Sequence, residues 1–125
     1  CREQMEHFDV RPGNPLLRVS LFSGGNQQKM VVAREMERNT DLLVVGQPTR
    51  GVDIGAIEFI HRQIIAMRNA NKAVLLVSVE LDEILSLSDR ILVMFDGQIM
   101  GEVLAKDANE RDIGLLMAGI RKEAA

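Results

Sequence analysis

The sequence predicts an α/β fold: helices flanking a partial, central parallel sheet, with an antiparallel hairpin at its edge. Three observations carry that prediction. The short apolar runs "DLLVVG" and "KAVLLVS" alternate with long helix-patterned stretches, as right-handed β-α-β crossovers require. Ile57, Ile60, Ile64 and Met67 recur three or four positions apart, which is a helical period. Asp96-Gly97 separates two strand-like runs, and glycine's tolerance of positive φ makes that pair a tight hairpin turn.

The elements follow in chain order. Residues 1–20 are largely polar and contain "RPGNP", Arg11 to Pro15, which cannot continue a helix and reads as a connector. In "SGGNQQKMVVAREMERN" a hydroxyl and two glycines precede good helix formers, so a helix begins around Ser23 to Asn26, runs to about Glu37 and stops at Asn39. "DLLVVGQP" reads as a strand buried on both faces and ended by Gly46 and Pro48. The next helix starts at Ile54, places Glu58, Arg62 and Gln63 between its apolar positions, and ends near Ala70-Asn71. "KAVLLVS" is a second buried strand, "ELDEILSLS" a short helix and "DRILVMF" a third strand. The hairpin returns through "QIMGEVL", and a last amphipathic helix runs from roughly Ala108 to Ala118 through Ile113, Leu116 and Met117. There is no internal repeat and no low-complexity segment.

The 125 residues suffice for one hydrophobic core. With 46% hydrophobic and 26% charged residues the composition is that of a globular chain, and no apolar run approaches the ~20 residues of a membrane span. Fifteen basic against 18 acidic residues leave no positive field for nucleic acid or an anionic membrane. Four Phe, with no Trp or Tyr, supply no base-stacking platform, so the core is built from Leu, Ile, Val and Met. The seven Met residues read as core filling. The one cysteine, Cys1, excludes an internal disulfide and fits a reducing compartment. A start at Cys1 is expected to be a cut boundary rather than a lipidated terminus. His7 and His61 lack neighbours at ligand spacing, so no metal site is expected, and Glu80, Asp82 and Glu83 read as the acidic first turn of a helix.

"LFSGGNQQK", Leu21 to Lys29, carries the chemistry. At a helix start the unpaired N–H groups and the positive dipole end face outward, and glycine lets an anion approach the backbone. Such a start recognises phosphate. A bare Ser-Gly-Gly would be only an N-cap; its neighbours raise it to a site.

Read in order and spacing, "FSGGNQQK" (22–29), "LLVVGQPTRGVD" (42–53) and "VLLVSVELDEILSLSDRILVMFDGQIM" (74–100) resemble the ABC-type ATPases, over residues from about 21 to 104. The "NQQK" extension and the "PTRGVD" turn are similar to the ATP-binding subunits of bacterial importers for simple sugars and nucleosides, which carry two ATPase domains in one chain. The resemblance implies a P-loop NTPase-like fold. It also implies that Ser23, Gly24, Gly25 and Asn26 are the signature motif, contacting the γ-phosphate of ATP held by the opposite domain. Phe22 stands where the family usually has Leu, a change that a backbone-based phosphate contact tolerates. Asp53 matches the acid of the D-loop, which reaches across the domain pair, and Gly51 permits its turn.

Three positions depart from the family at the chemistry. The Walker B strand ends in an Asp that orders the Mg²⁺ shell and a Glu that polarises the attacking water; here those positions are Gly46 and Gln47. Glycine has no side chain, and a neutral amide orients water without accepting its proton. The switch histidine that touches the γ-phosphate falls at Val79, which cannot hydrogen-bond through its side chain. Phosphoryl transfer depends on positioning and charge neutralisation, so a site lacking both does not hydrolyse quickly.

No G-x-x-x-x-G-K-[ST] loop occurs in the chain. The resemblance therefore implies that residues 21–125 are the C-terminal part of one ATPase domain, the second of a tandem pair, with the domain's N-terminal part missing. Taken alone, this stretch is expected to be inactive. For the whole protein the implied cofactors are ATP and Mg²⁺. The implied partners are a second ATPase domain, membrane-spanning permease subunits and a solute-binding protein, at the cytoplasmic face of the membrane. Two other readings stay open: an interaction module that regulates an ATPase by docking, self-associating through exposed sheet edges, and a chromosome-maintenance or DNA-repair ATPase. The latter would be expected to keep the acidic pair and carry a long coiled coil, and it lacks "NQQK".

Overall fold

The computed structural model describes residues Cys1 to Ile120. Residues 121–125, the end of the stretch assigned to the ATPase domain, lie outside them. The chain divides into two units, Cys1–Val77 and the part from Ser78 onward.

In the first unit, α1 (Arg2–His7) leads through a 3-10 turn (Val19–Leu21) to α2 (Gly24–Met36), β1 (Leu42–Gly46), α3 (Ile54–Asn69) and β2 (Ala73–Val77). The helix α2 begins and ends where its cap and its Asn39 stop predict, and α3 spans the predicted apolar period. Its buried stripe adds Ala56 and Phe59 to Ile60, Ile64 and Met67. β1 and β2 pair in parallel, from Leu42 opposite Ala73 to Gly46 opposite Val77. The segment before α2 has its own internal order. Although Arg11–Pro15 is non-helical as expected, α1 precedes it, and Met5, Phe8 and Val10 are buried. The Phe8 ring meets Phe59 of α3 edge-on, with centroids 6.1 Å apart.

The expectation that β1 is buried on both faces is corrected by the structure. Leu43 is buried while Leu42 and Val44 are 53% and 61% exposed, and Leu75 and Val77 of β2 are exposed beside them. A two-stranded parallel sheet with one helix-covered face leaves its other apolar face open, whereas parallel sheets are ordinarily covered on both.

The second unit contains α4 (Leu81–Leu87), β3 (Arg90–Phe95), β4 (Gln98–Leu104) and α5 (Glu110–Met117). Asp96 and Gly97 both take positive φ, 46° and 73°, the backbone of a type I′ turn, and close the predicted hairpin. Ile91, Val93 and Ile113 form its core, with Leu81, Ile84, Leu85 and Leu116 packed around them. Asp82 and Glu83 stand in the first turn of α4, as read from sequence, although Glu83 is buried. Among the described residues β3 pairs with β4 in an antiparallel two-stranded sheet. Among the described residues no helix is long and apolar enough to cross a membrane.

Candidate functional site

The start of α2 is knit together by side chains. Ser23 is the N-cap, with extended backbone, and its Oγ accepts from the Asn26 backbone N–H at 3.4 Å and from Asn26 Nδ2 at 2.9 Å. Asn26 Oδ1 in turn accepts the Arg11 backbone N–H at 2.7 Å. Ser23 and Gly24 are exposed, Asn26 is half-buried and Gly25 is buried.

The two glycines therefore serve different ends. A Cβ on Gly25 would lie 2.7 Å from Asp53 Oδ2 and 3.0 Å from the Ala56 Cβ, so its lack of a side chain is what lets α2 and α3 bring their N-terminal ends together. Gly24 is exposed, and a Cβ there would lie 3.4 Å from the Gly51 backbone oxygen, an ordinary contact. Asp53 caps α3 by accepting the Ala56 N–H at 2.9 Å, after a turn in which Gly51 takes φ +73°. The geometry thus joins Ser23, Gly24, Gly25, Asn26 and Asp53 at one place, beside a cavity of about 260 Å³ lined by Asp9, Arg11, Gly25, Asn26, Lys29 and Asp53.

Asp9, Arg11 and Lys29 are residues that the sequence reading did not single out. Lys29 is buried on α2, one turn below Gly25 and above Ala33, and its Nζ donates to the Asp9 backbone oxygen at 2.9 Å and to Asp9 Oδ2 at 3.0 Å. It also lies 5.0 Å over the Phe59 ring. Arg11 Nε donates to Asp9 Oδ1 at 2.8 Å. The hydrogen bond from Lys29, and then that from Arg11, hold the Asp9 carboxyl below its ordinary pKa. A signal was present in the sequence: Gly25, Lys29 and Ala33 lie four apart on one helix face. A lysine in a buried stripe requires an acceptor partner.

The end of β1 is built differently. Gly46 is exposed, and a Cβ there would meet nothing within 4 Å. Gln47 takes a left-handed φ of 51°, and its backbone N–H donates to Val77 O at 2.8 Å. Pro48 behind it is fully buried, and Gln28 of α2 donates its side-chain amide to the Pro48 oxygen at 2.8 Å. Val79 belongs to the second unit and is 65% exposed, in the turn where Ser78 Oγ accepts the Glu80 N–H.

An anionic phosphate oxygen fits the start of α2. Of the first-turn N–H groups, that of Asn26 goes to Ser23 Oγ, while those of Gly24 and Gly25 have no intrahelical acceptor, and the exposed Ser23 hydroxyl stands beside them. A divalent cation does not fit the end of β1, because glycine and an amide offer no carboxylate. Among the described residues no group of three or more His, Cys, Asp or Glu could hold a metal ion.

No family model matches the chain. Curated relatives do. A nucleoside import ATP-binding protein of Lactococcus lactis is 55% identical over 95% of the chain and 24% of its own length. A guanosine import ATP-binding protein of Bacillus subtilis is 49% identical over 100% of the chain and 24% of its length. A ribose import ATP-binding protein of Rubrobacter xylanophilus is 44% identical over 94% of the chain and 23% of its length. The chain thus spans about a quarter of the length of these relatives. Among solved structures, a dimeric ATP-binding cassette bound to ADP and Pi superimposes with a TM-score of 0.72 at 22% identity, over 82% of the chain and 44% of that structure. A metal-chelate type ABC transporter gives 0.77 at 12% identity, over 94% of the chain and 47% of that structure. These two establish the fold. The motifs, the fold and the relatives agree: over nearly its whole length the chain is similar to ABC-type ATP-binding proteins, and these relatives are named for the import of nucleosides and sugars.

Proposed function

We propose that the chain is the C-terminal part of the second, degenerate ATPase domain of an ABC importer's ATP-binding subunit. Residues 1–20 lead into it and residues 21–125 form it. It lends Ser23, Gly24, Gly25 and Asn26 to ATP held by the partner domain, while Gly46, Gln47 and Val79 leave its own site without hydrolytic chemistry. The carrying observation is the contrast between an ordered helix start with an exposed hydroxyl and a strand end with no acid. Asp53 serves the domain interface, a role supported by its closeness to Gly25 of the signature.

Hydrolysis in the competent site opens and closes the domain pair and drives permease subunits, with solute delivered by a binding protein. The subunit works peripherally at the cytoplasmic face of the membrane. The names of the two relatives described at 55% and 49% identity favour a nucleoside over a sugar as solute. ATP is the nucleotide. Mg²⁺, where needed, is held by the partner's site, since the end of β1 has no ligand for it. The chain taken alone is inactive and self-associates through the open face of β1–β2, where Leu42, Val44, Leu75 and Val77 are exposed. A single-turnover measurement on the full-length subunit tests the assignment. One ADP formed per subunit for each closure is expected, and two would overturn it.

A further inference from the structure

We infer that Asp9, Arg11 and Lys29 form a positioning ladder that makes the Ser23 hydroxyl an obligatory hydrogen-bond donor toward phosphate. This deepens the proposed function and rests on it. A hydroxyl has two acceptor lone pairs and one proton. Both N–H contacts to Ser23 Oγ come from Asn26, at 3.4 Å from the backbone and 2.9 Å from Nδ2, and together they occupy the acceptor side. The proton is then left to point elsewhere, and the exposed side of Ser23 is where an anion would arrive.

This arrangement depends on which way the Asn26 amide faces. Rotated by half a turn, it would present Oδ1 to Ser23, draw the hydroxyl proton inward and leave no donor for a ligand. The Arg11 backbone N–H settles the orientation, because at 2.7 Å it requires an oxygen opposite it. Arg11 is held in turn. Its Nε donates to Asp9 Oδ1, while the buried Lys29 ammonium grips both Asp9 Oδ2 and the Asp9 backbone oxygen. Phe8 and Val10, on either side of Asp9, are buried, so the segment has an apolar floor as well as a polar clamp. Asp9 and Lys29 make no hydrogen bond to Ser23, so the ladder reaches it through Arg11 and Asn26.

The test is a double-mutant cycle on ATP hydrolysis by the full-length subunit, with Asp9→Asn, Lys29→Met and Ser23→Ala, reading KM and kcat separately. Losing one hydrogen bond to a charged phosphate in Ser23→Ala is expected to lower kcat/KM about tenfold or more. Asp9→Asn and Lys29→Met are expected to lower it about threefold to fivefold in the parent and by less than about 1.5-fold when Ser23 is already Ala. Because Lys29→Met removes a buried charge and could unfold the region, Asp9→Asn is the decisive arm, with its thermal midpoint measured alongside. If Asp9→Asn keeps its full effect in the Ser23→Ala background, or has none in the parent, the ladder is overturned while the lending role stands. If Ser23→Ala leaves hydrolysis unchanged, the proposed function falls and the ladder with it.

Discussion

The start of α2 and the end of β1 belong to the same unit, and Gln28 ties one to the other through the Pro48 oxygen. Yet they are held by different means. At the start of α2, Ser23, Asn26, Arg11, Asp9 and Lys29 are linked by successive hydrogen bonds. At the end of β1, Gln47 donates its backbone N–H to Val77 O and accepts the Arg50 N–H on its own backbone oxygen. On the proposed function, a hydroxyl that presents its proton to phosphate needs its neighbours fixed, whereas a strand end without catalytic acids needs only to turn.

Substitutions can break that contrast, beginning with the largest effect. Phe8→Ala removes a side chain only 2% exposed, from beneath the Asp9–Arg11 segment, and should cost roughly 3–5 kcal/mol in denaturant unfolding. Below the unfolding transition, amide hydrogen exchange should quicken at Asn26 and stay slow in the β1–β2 ladder. Equal loss at both would mean that the two regions are one cooperative piece. Gly25→Ala forces a Cβ against Asp53 and Ala56 and should destabilise by roughly 1–3 kcal/mol.

Ser23→Ala removes the helix cap and should cost about 1 kcal/mol, read by the same unfolding curves. Gly46→Ala, with nothing near its Cβ, should change stability by no more than about 0.5 kcal/mol. A large loss there would show that the strand end is as constrained as the helix start. The smallest effect is a pH dependence. Asp9 has a lowered folded pKa, so its contribution is present above its unfolded value and lost as pH falls through the lowered one. The stability difference between the parent and Asp9→Asn should therefore persist at neutral pH and close below the ordinary carboxylate value of 3.8.

Much of this was legible in the chain. The helical period of Ile57 to Met67, the Ser23 cap and the Asp96-Gly97 turn are local signals, and local signals survive into the structure. α1 was not legible, because its six residues carry a single strong apolar anchor, Met5, too few for a period. The exposed face of β1–β2 was not legible either: an apolar run reports what a strand would bury, not what is there to cover it. The Asp9–Lys29 bond joins residues twenty apart, beyond any window of periodicity, and Lys29 was read only as a family marker. Asp53 as a cap and Gly25 as a close-approach position likewise needed the fold, since each is defined by the other helix.

The most direct measurement of the central claim compares steady-state ATP hydrolysis by the full-length subunit carrying Ser23→Phe with that carrying Gln47→Glu. If Ser23 is lent to the partner's ATP and Gln47 takes no part in hydrolysis, the bulky side chain at Ser23 abolishes turnover and the restored acid at Gln47 changes it little. Turnover that survives Ser23→Phe, or rises severalfold with Gln47→Glu, would contradict it.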